Sequence, residues 1–156
     1  MSEPRFTIRL AQSEADLLGA QRLRYRVFVE ELGSDGALVD HHMRFERDRF
    51  DTASHHLILI DDARCAKAPD HVVGVYRFMD QDGAAEAGQF YSEGEYDLSK
   101  LKDSGRKLLE LGRSCLDPAY RGGAAMFHLW NALAEFAQEH QIELMFGVAS
   151  FHGTDI

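Results

Sequence analysis

Long hydrophobic runs are missing from this 156-residue sequence, and so are cysteine pairs, low-complexity tracts and an excess of positive charge. Each absence removes a class of protein. No stretch approaches the roughly 18–20 consecutive apolar residues that a membrane-spanning helix needs. The opening MSEPRFTIRL is polar and has no apolar core of the kind a secretory leader carries. Cys65 and Cys115 lie far apart without CxxC spacing, which offers no disulfide framework and suits a reducing compartment. Seventeen Lys and Arg against 26 Asp and Glu leave a net charge of −9, which argues against broad binding to a nucleic-acid backbone. Together these features fit a cytoplasmic protein and leave peripheral contact with a membrane open.

What is present is ordinary globular material, 45% hydrophobic and 28% charged. The length is that of one domain, enough to bury about 70% of the surface of the unfolded chain. Local positive charge survives the acidic balance, in Arg22, Arg24 and Arg26 and again in Arg44, Arg47 and Arg49.

In chain order, Phe6 to Leu10 alternates as a short strand. Ser13 with Asp16 three residues on resembles a capping box, predicting a helix from Glu14 to about Leu32. Arg22, Arg26 and Glu30 step along a second face of it, read as solvent-exposed, and Gly33 and Gly36 break it. Leu38 to Ser54 is polar and weakly periodic, a long loop of the kind that is functional or mobile. His55 to Ile60 and Val72 to Met79 predict a hairpin of two strands. Asp80 to Glu95 reads as exposed apart from Phe90 and Tyr91, and Tyr96 to Leu101 as a helical turn capped by Asp97 or Ser99. Ala124 to about His140 predicts a helix whose Met126, Leu129, Trp130, Leu133 and Ala137 form the core stripe, with Phe136 alongside. Glu143 to Ala149 gives a last strand, so that strand, helix and strand make a parallel crossover unit. Thr154 or Asp155 would cap a further helix, and the chain reads as cut short.

The stretch Lys107–Gly123, KLLELGRSCLDPAYRGG, organises this pattern. It predicts a buried strand, a turn at Asp117-Pro118 and a glycine pair opening a helix, at the carboxyl end of a sheet where ligands collect. Glu110 and Arg113 are set among Leu108, Leu109, Leu111 and Cys115. A buried charge is costly unless paired or put to use. The glycine turn would leave backbone N–H groups free to meet an anion.

LRYRVFVEELG, RDRFDTASHHLILI, VVGVYRFM and LLELGRSCLDPAYRGG together resemble the GNAT superfamily of acyltransferases. Within it they are most similar to the branch holding bacterial ornithine N-acyltransferases and acyl-homoserine lactone synthases. The most specific matches are Arg24 and Phe28, Phe50 to Thr52, and Glu110 to Arg121. The lactone synthases usually carry a tryptophan shortly after the first helix, where this chain has Gly33-Ser34-Asp35-Gly36, so the ornithine enzymes fit better. The resemblance implies a GNAT-like α/β fold, a mixed sheet flanked by helices, as the N-terminal portion of a longer chain. It implies transfer of a 3-hydroxyacyl group from acyl carrier protein to the α-amine of ornithine, giving lyso-ornithine lipid. The donor is then a thioester on phosphopantetheine, with coenzyme A second, and no cofactor is bound covalently. Arg121-Gly122-Gly123-Ala124 is shorter than the usual pyrophosphate loop, which suits a donor without a nucleotide. Other amine N-acyltransferases, lactone synthases, and an inactive fragment that only binds an acyl group or a partner remain as alternatives. A homodimer is also left open.

Such a transfer needs an amine stripped of a proton, a polarised carbonyl and the two held in line. The catalytic candidates are Glu110, as general base directly or through a water, and Arg113 beside it; the alternative is a structural Glu110–Arg113 pair. Residues i and i+3 of a strand face opposite ways unless a bulge intervenes, and GNAT enzymes carry one in this strand. The donor candidates are the backbone at Cys115 and Leu116 for the thioester oxygen, Arg121, Gly122 and Gly123 for the phosphate, and Arg24 and Phe28 for the pocket wall. Arg22, Arg26 and Arg121 are candidates for docking an acidic carrier protein. Asp48 and Asp51 are candidates for the cationic side chain of ornithine, with helix capping as the alternative. A metal site at His41-His42, Asp48, Asp51 and His55-His56 lacks the spacing of zinc motifs. Cys115 as an activated thiol lacks partners and reads as an inert core residue.

Overall fold

A computed structural model describes residues 3–148. Its centre is a five-stranded mixed sheet in the order β1 (Phe6–Leu10), β2 (His55–Asp61), β3 (Val72–Asp80), β4 (Leu108–Leu116) and β5 (Leu144–Phe146). The first four strands pair antiparallel, and β5 joins β4 parallel through only Leu108↔Leu144, Leu109↔Met145 and Glu110↔Phe146. The expected crossover unit is therefore present. Helix α1 (Glu14–Arg24) covers one face, α4 (Ala125–Glu139) the other, and the short α2 (Gln81–Ala87) and α3 (Ser99–Lys102) sit at one end.

Strand alternation divides the core between the two faces. Leu57, Leu59, Val73, Phe78, Leu109 and Leu116 pack with Leu129, Leu133 and Phe136 of α4. Ile58, Val72, Val75 and Cys115 pack with Ala20, Leu23 and Val27 on the opposite side. Phe50, Met79, Ala84, Phe90 and Leu108 close a third cluster. Ser13 caps α1, its Oγ accepting from the Asp16 N–H at 3.2 Å.

Several expectations are corrected. The first helix runs to Glu31 as expected, but it is α-helical only to Arg24 and continues as a π-helical segment over Tyr25–Glu31, a winding that recurs at functional sites. Trp130 is not core: it is 59% exposed, beside Phe127 at 66%. The buried residues of α4 are Ala125, Leu129, Leu133, Phe136 and Ala137, a narrower stripe from which Trp130 is rotated by one residue. The segment after β3 is not simply an exposed loop. Asp80 caps α2, and Gly83 packs so close to Ala53 that a β-carbon there would stand 2.3 Å from its carbonyl oxygen. Ser92 is buried, whereas Tyr91 is partly open. The ends proposed at Ala149, Thr154 and Asp155 lie outside the described residues.

Candidate active site

The site begins with a defect in β4. Its register with β3 shifts between Val75 and Arg77, and Arg113 adopts φ 51°. The side chains show the consequence. Leu109 faces α4 before the shift and Leu116 faces it after, positions of opposite parity, so one extra residue is accommodated between them. Arg113 thereby turns to the same side as Glu110. Both line a cavity of about 760 Å³, of the size that takes a small ligand. Phe28, Phe50, Tyr76, Phe78, Tyr91 and Met145 supply much of its wall. Gly147 closes it against β4, where a β-carbon would stand 2.5 Å from the Leu111 carbonyl oxygen.

Glu110 is 5% exposed and held by the loop after α2. Its Oε1 accepts from the Tyr91 N–H at 2.7 Å, and its Oε2 from the Ser92 N–H at 2.8 Å and from the Ser92 hydroxyl. A carboxylate offers about four acceptor sites, so one on Oε1 remains for a proton or substrate.

Arg113 belongs to a buried ionic network rather than to a pair with Glu110. Three arginines, Arg24, Arg77 and Arg113, face three carboxylates, Glu46, Asp48 and Asp51. Arg24 is fully buried, its Nη2 2.5 Å from Glu46 Oε2 and its Nη1 2.8 Å from Asp51 Oδ1. Arg77 Nη1 lies 2.6 Å from Asp48 Oδ1 and 2.8 Å from Asp51 Oδ1. Arg113 reaches Glu46 and Asp48 at 3.3 Å each. Gln21 donates to the second Asp51 oxygen at 3.0 Å. Burial works against charge on Asp51, but Arg24 and Arg77 outweigh it and hold the carboxyl well below the usual carboxylate range.

This placement changes several assignments. Arg24 does not line the cavity, because its guanidinium is consumed inside the network; Phe28 does line it. Asp48 and Asp51 do not line the cavity either: Asp48 is paired with Arg77 and Arg113, which do, and Asp51 with Arg77 and the buried Arg24. Asp48 also accepts from the Phe50 N–H at 2.9 Å, a local turn contact. Cys115 is buried against α1, and burial pushes its thiol up to about 12, so it is no nucleophile. The Asp117 N–H donates to Val73 at 2.9 Å. Strand alternation then points the Cys115 N–H at β3 and the Leu116 N–H at the opposite edge, which no strand covers there among the described residues. Leu116, not Cys115, keeps the backbone donor.

Arg121 stands along that edge, donating to the Leu116 carbonyl at 3.1 Å and gripped by Glu31. Gly122, with φ 79°, and Gly123 are exposed beside it, and no side chain caps α4. Arg26 pairs with Asp117 at 3.2 Å and Arg22 with Asp70 at 3.3 Å. Among the described residues, no three His, Cys, Asp or Glu side chains gather where they could hold a metal ion. His41 bonds Tyr25 and Asp35, and His56 the Asp51 carbonyl. No helix of the described residues is long and apolar enough to cross a membrane.

Sequence reasoning missed Arg77, Glu46, Tyr91 and Ser92. Arg77 carried a usable signal, since VVGVYRFM sets one charge in an apolar strand just as Glu110 is set in β4. Ser92 carried none.

A five-stranded mixed sheet that parts beside a bulged fourth strand, with the cavity at the parting, is the GNAT architecture. The acetyltransferase (GNAT) domain family matches residues 23–131, and the chain belongs to that family. It is similar to the L-ornithine N(alpha)-acyltransferase of Rhodobacter capsulatus, 56% identical over 151 residues, which span 97% of this chain and 58% of the relative. The protein of that name from Brucella abortus is 43% identical over 148 residues, 94% of this chain and 53% of the relative. The chain thus spans little more than half the length of these relatives. Among solved structures, the N-acyl amino acid synthase FeeM from uncultured soil microbes superposes with a TM-score of 0.64 at 17% identity, over 91% of this chain and 70% of that one. The AHL synthase LasI gives 0.62 at 19%, over 95% and 74%. Both share the fold.

Proposed function

We propose that the chain is the acyltransferase portion of an enzyme that moves a 3-hydroxyacyl group from acyl carrier protein to the α-amine of ornithine, giving lyso-ornithine lipid. The observation that carries this reading is the β4 bulge, which sets Glu110 and Arg113 on one face of an apolar-walled cavity. The names of the relatives supply the acceptor, and the exposed Arg121-Gly122-Gly123 turn suits a phosphopantetheine arm.

In this scheme the acyl chain lies along the aromatic wall and the thioester carbonyl meets the Leu116 N–H at the open edge of β4. The amine nitrogen attacks the carbonyl carbon, the C–N bond forms, and the C–S bond breaks to release the phosphopantetheine thiolate. The incoming ammonium sheds two protons, one to Glu110 on its remaining Oε1 site, directly or through a water, and the other through water to the departing thiolate, which leaves as the thiol.

Incubation with ornithine and 3-hydroxyacyl carrier protein should give the lyso-lipid by mass spectrometry, and Glu110→Gln should abolish it. Product from acyl-coenzyme A alone would point to a different amine acyltransferase. A lactone formed from S-adenosylmethionine would point to the synthase branch. Absence of product would leave a binding role.

A further inference from the structure

We infer that Arg113 reads the α-carboxylate of the acceptor, so that the site selects free amino acids over simple amines. This rests on the acyl-transfer reading above and adds the part of the acceptor that is recognised.

The three arginines of the network differ in what they have left to give. Arg24 has no exposed side-chain surface and Arg77 only 6%, and both sit at 2.5–2.8 Å from carboxylates. Arg113 is 28% exposed, with both ionic contacts at 3.3 Å. Among the described residues it makes one hydrogen bond, from Nη2 to Asp48. A guanidinium carries five N–H donors in a planar fork, so most of this capacity is unspent. The cation is nevertheless fixed in place. Its Cζ lies 5.7 Å from the Phe28 ring and 5.4 Å from the Tyr91 ring, and both aromatic residues line the cavity. An arginine clamped between rings and facing a cavity with free donors is built to take a carboxylate bidentately.

The rest of the lining agrees. Among the described residues, Glu110 is the only acid in the cavity wall and Arg77 and Arg113 the only cations. The bulge puts one acid and one fork on the same face. An α-amino acid matches that pair, amine to Glu110 and carboxylate to Arg113. The corresponding diamine, which has hydrogen where ornithine has its carboxylate, leaves the Arg113 fork without a partner.

The test measures binding and transfer with three acceptors: ornithine, ornithine amide, and 1,4-diaminobutane, which is ornithine without its carboxylate. Calorimetry should show ornithine bound roughly 10- to 150-fold more tightly than diaminobutane, the range for a hydrogen bond to a charged group. Arg113→Gly, which tolerates the left-handed backbone, should erase that preference by weakening ornithine binding. Arg113→Lys should keep part of it, and added guanidinium should restore ornithine binding to the glycine variant. In turnover the loss should fall on the KM for ornithine more than on kcat. A preference for ornithine that survives both substitutions overturns the assignment, whether or not product forms. Binding that follows Arg113 without any acyl transfer supports it and overturns only the transfer reading. Failure of the unsubstituted protein to bind ornithine overturns both.

Discussion

Glu31 grips the Arg121 guanidinium with both carboxylate oxygens, at 2.5 and 2.8 Å, and so occupies the arginine expected to meet a donor phosphate. The pair straddles the end of the π-helical segment and the turn before α4. Arg121 holds the Glu31 carboxyl below its ordinary pKa. A donor phosphate must therefore displace a carboxylate before it can bind there. Glu31→Gln should lower the KM for the acyl donor by roughly two- to fivefold, the scale of an exposed ion pair, and leave kcat unchanged. Arg121→Gln should raise the same KM. Steady-state kinetics with the donor varied at saturating acceptor separates the two.

Asp51 holds the ionic network, and removing its charge leaves two buried arginines one partner short, Arg24 with Glu46 and Arg77 with Asp48. Breaking a buried pair from one side costs about 3–5 kcal/mol, so Asp51→Asn should lose about that much in urea unfolding at neutral pH. The sign with pH follows from its depressed folded pKa. The stability it supplies is fully present above the ordinary carboxylate value near ~3.9 and is lost as pH falls toward the lower value in the fold. The gap between the original and substituted proteins should be widest at neutral pH and narrow below about pH 4.

Ser92→Ala removes the hydroxyl from Glu110 while leaving the two backbone donors. The expected loss is about 1–3 kcal/mol in denaturant unfolding at unchanged slope, as for a buried hydrogen bond to a charged group. A change below a few tenths of a kcal/mol would mean that the two N–H groups suffice.

Thiol labelling gives an independent check on the core. Cys65 is exposed, and Cys115 is buried with its thiol pushed up to about 12. An alkylating reagent at pH 8 should modify one cysteine in the folded protein and two after denaturation. Peptide mapping should place the first label at Cys65.

Much of this organisation was legible in the residues. The alternating strands, the Ser13 cap and the glycine punctuation are local signals, and each appears where local physics puts it. Glu110 and Arg113 stood out because charge in an apolar strand demands an explanation, and the same rule would have found Arg77. What failed depended on distant partners. Asp48 and Asp51 read as free carboxylates because nothing in their own segment reveals that arginines from α1, β3 and β4 converge on them. Trp130 read as core because an apolar residue one position off the buried stripe still fits the helical period. Ser92 was invisible, since its role is set by a contact eighteen residues away in sequence.

The network around Asp51 carries three positive and three negative side chains, and four of the six are less than one-tenth exposed. Screening in ~0.1 M salt acts over about 10 Å of solvent and touches buried charges little. Ionic strength therefore acts on one half of the site alone. Added salt loosens the exposed Glu31–Arg121 clasp and leaves Glu110 and Arg113 seated, so on the proposed donor role of Arg121 it would change how often a donor is caught without altering the geometry that waits for it.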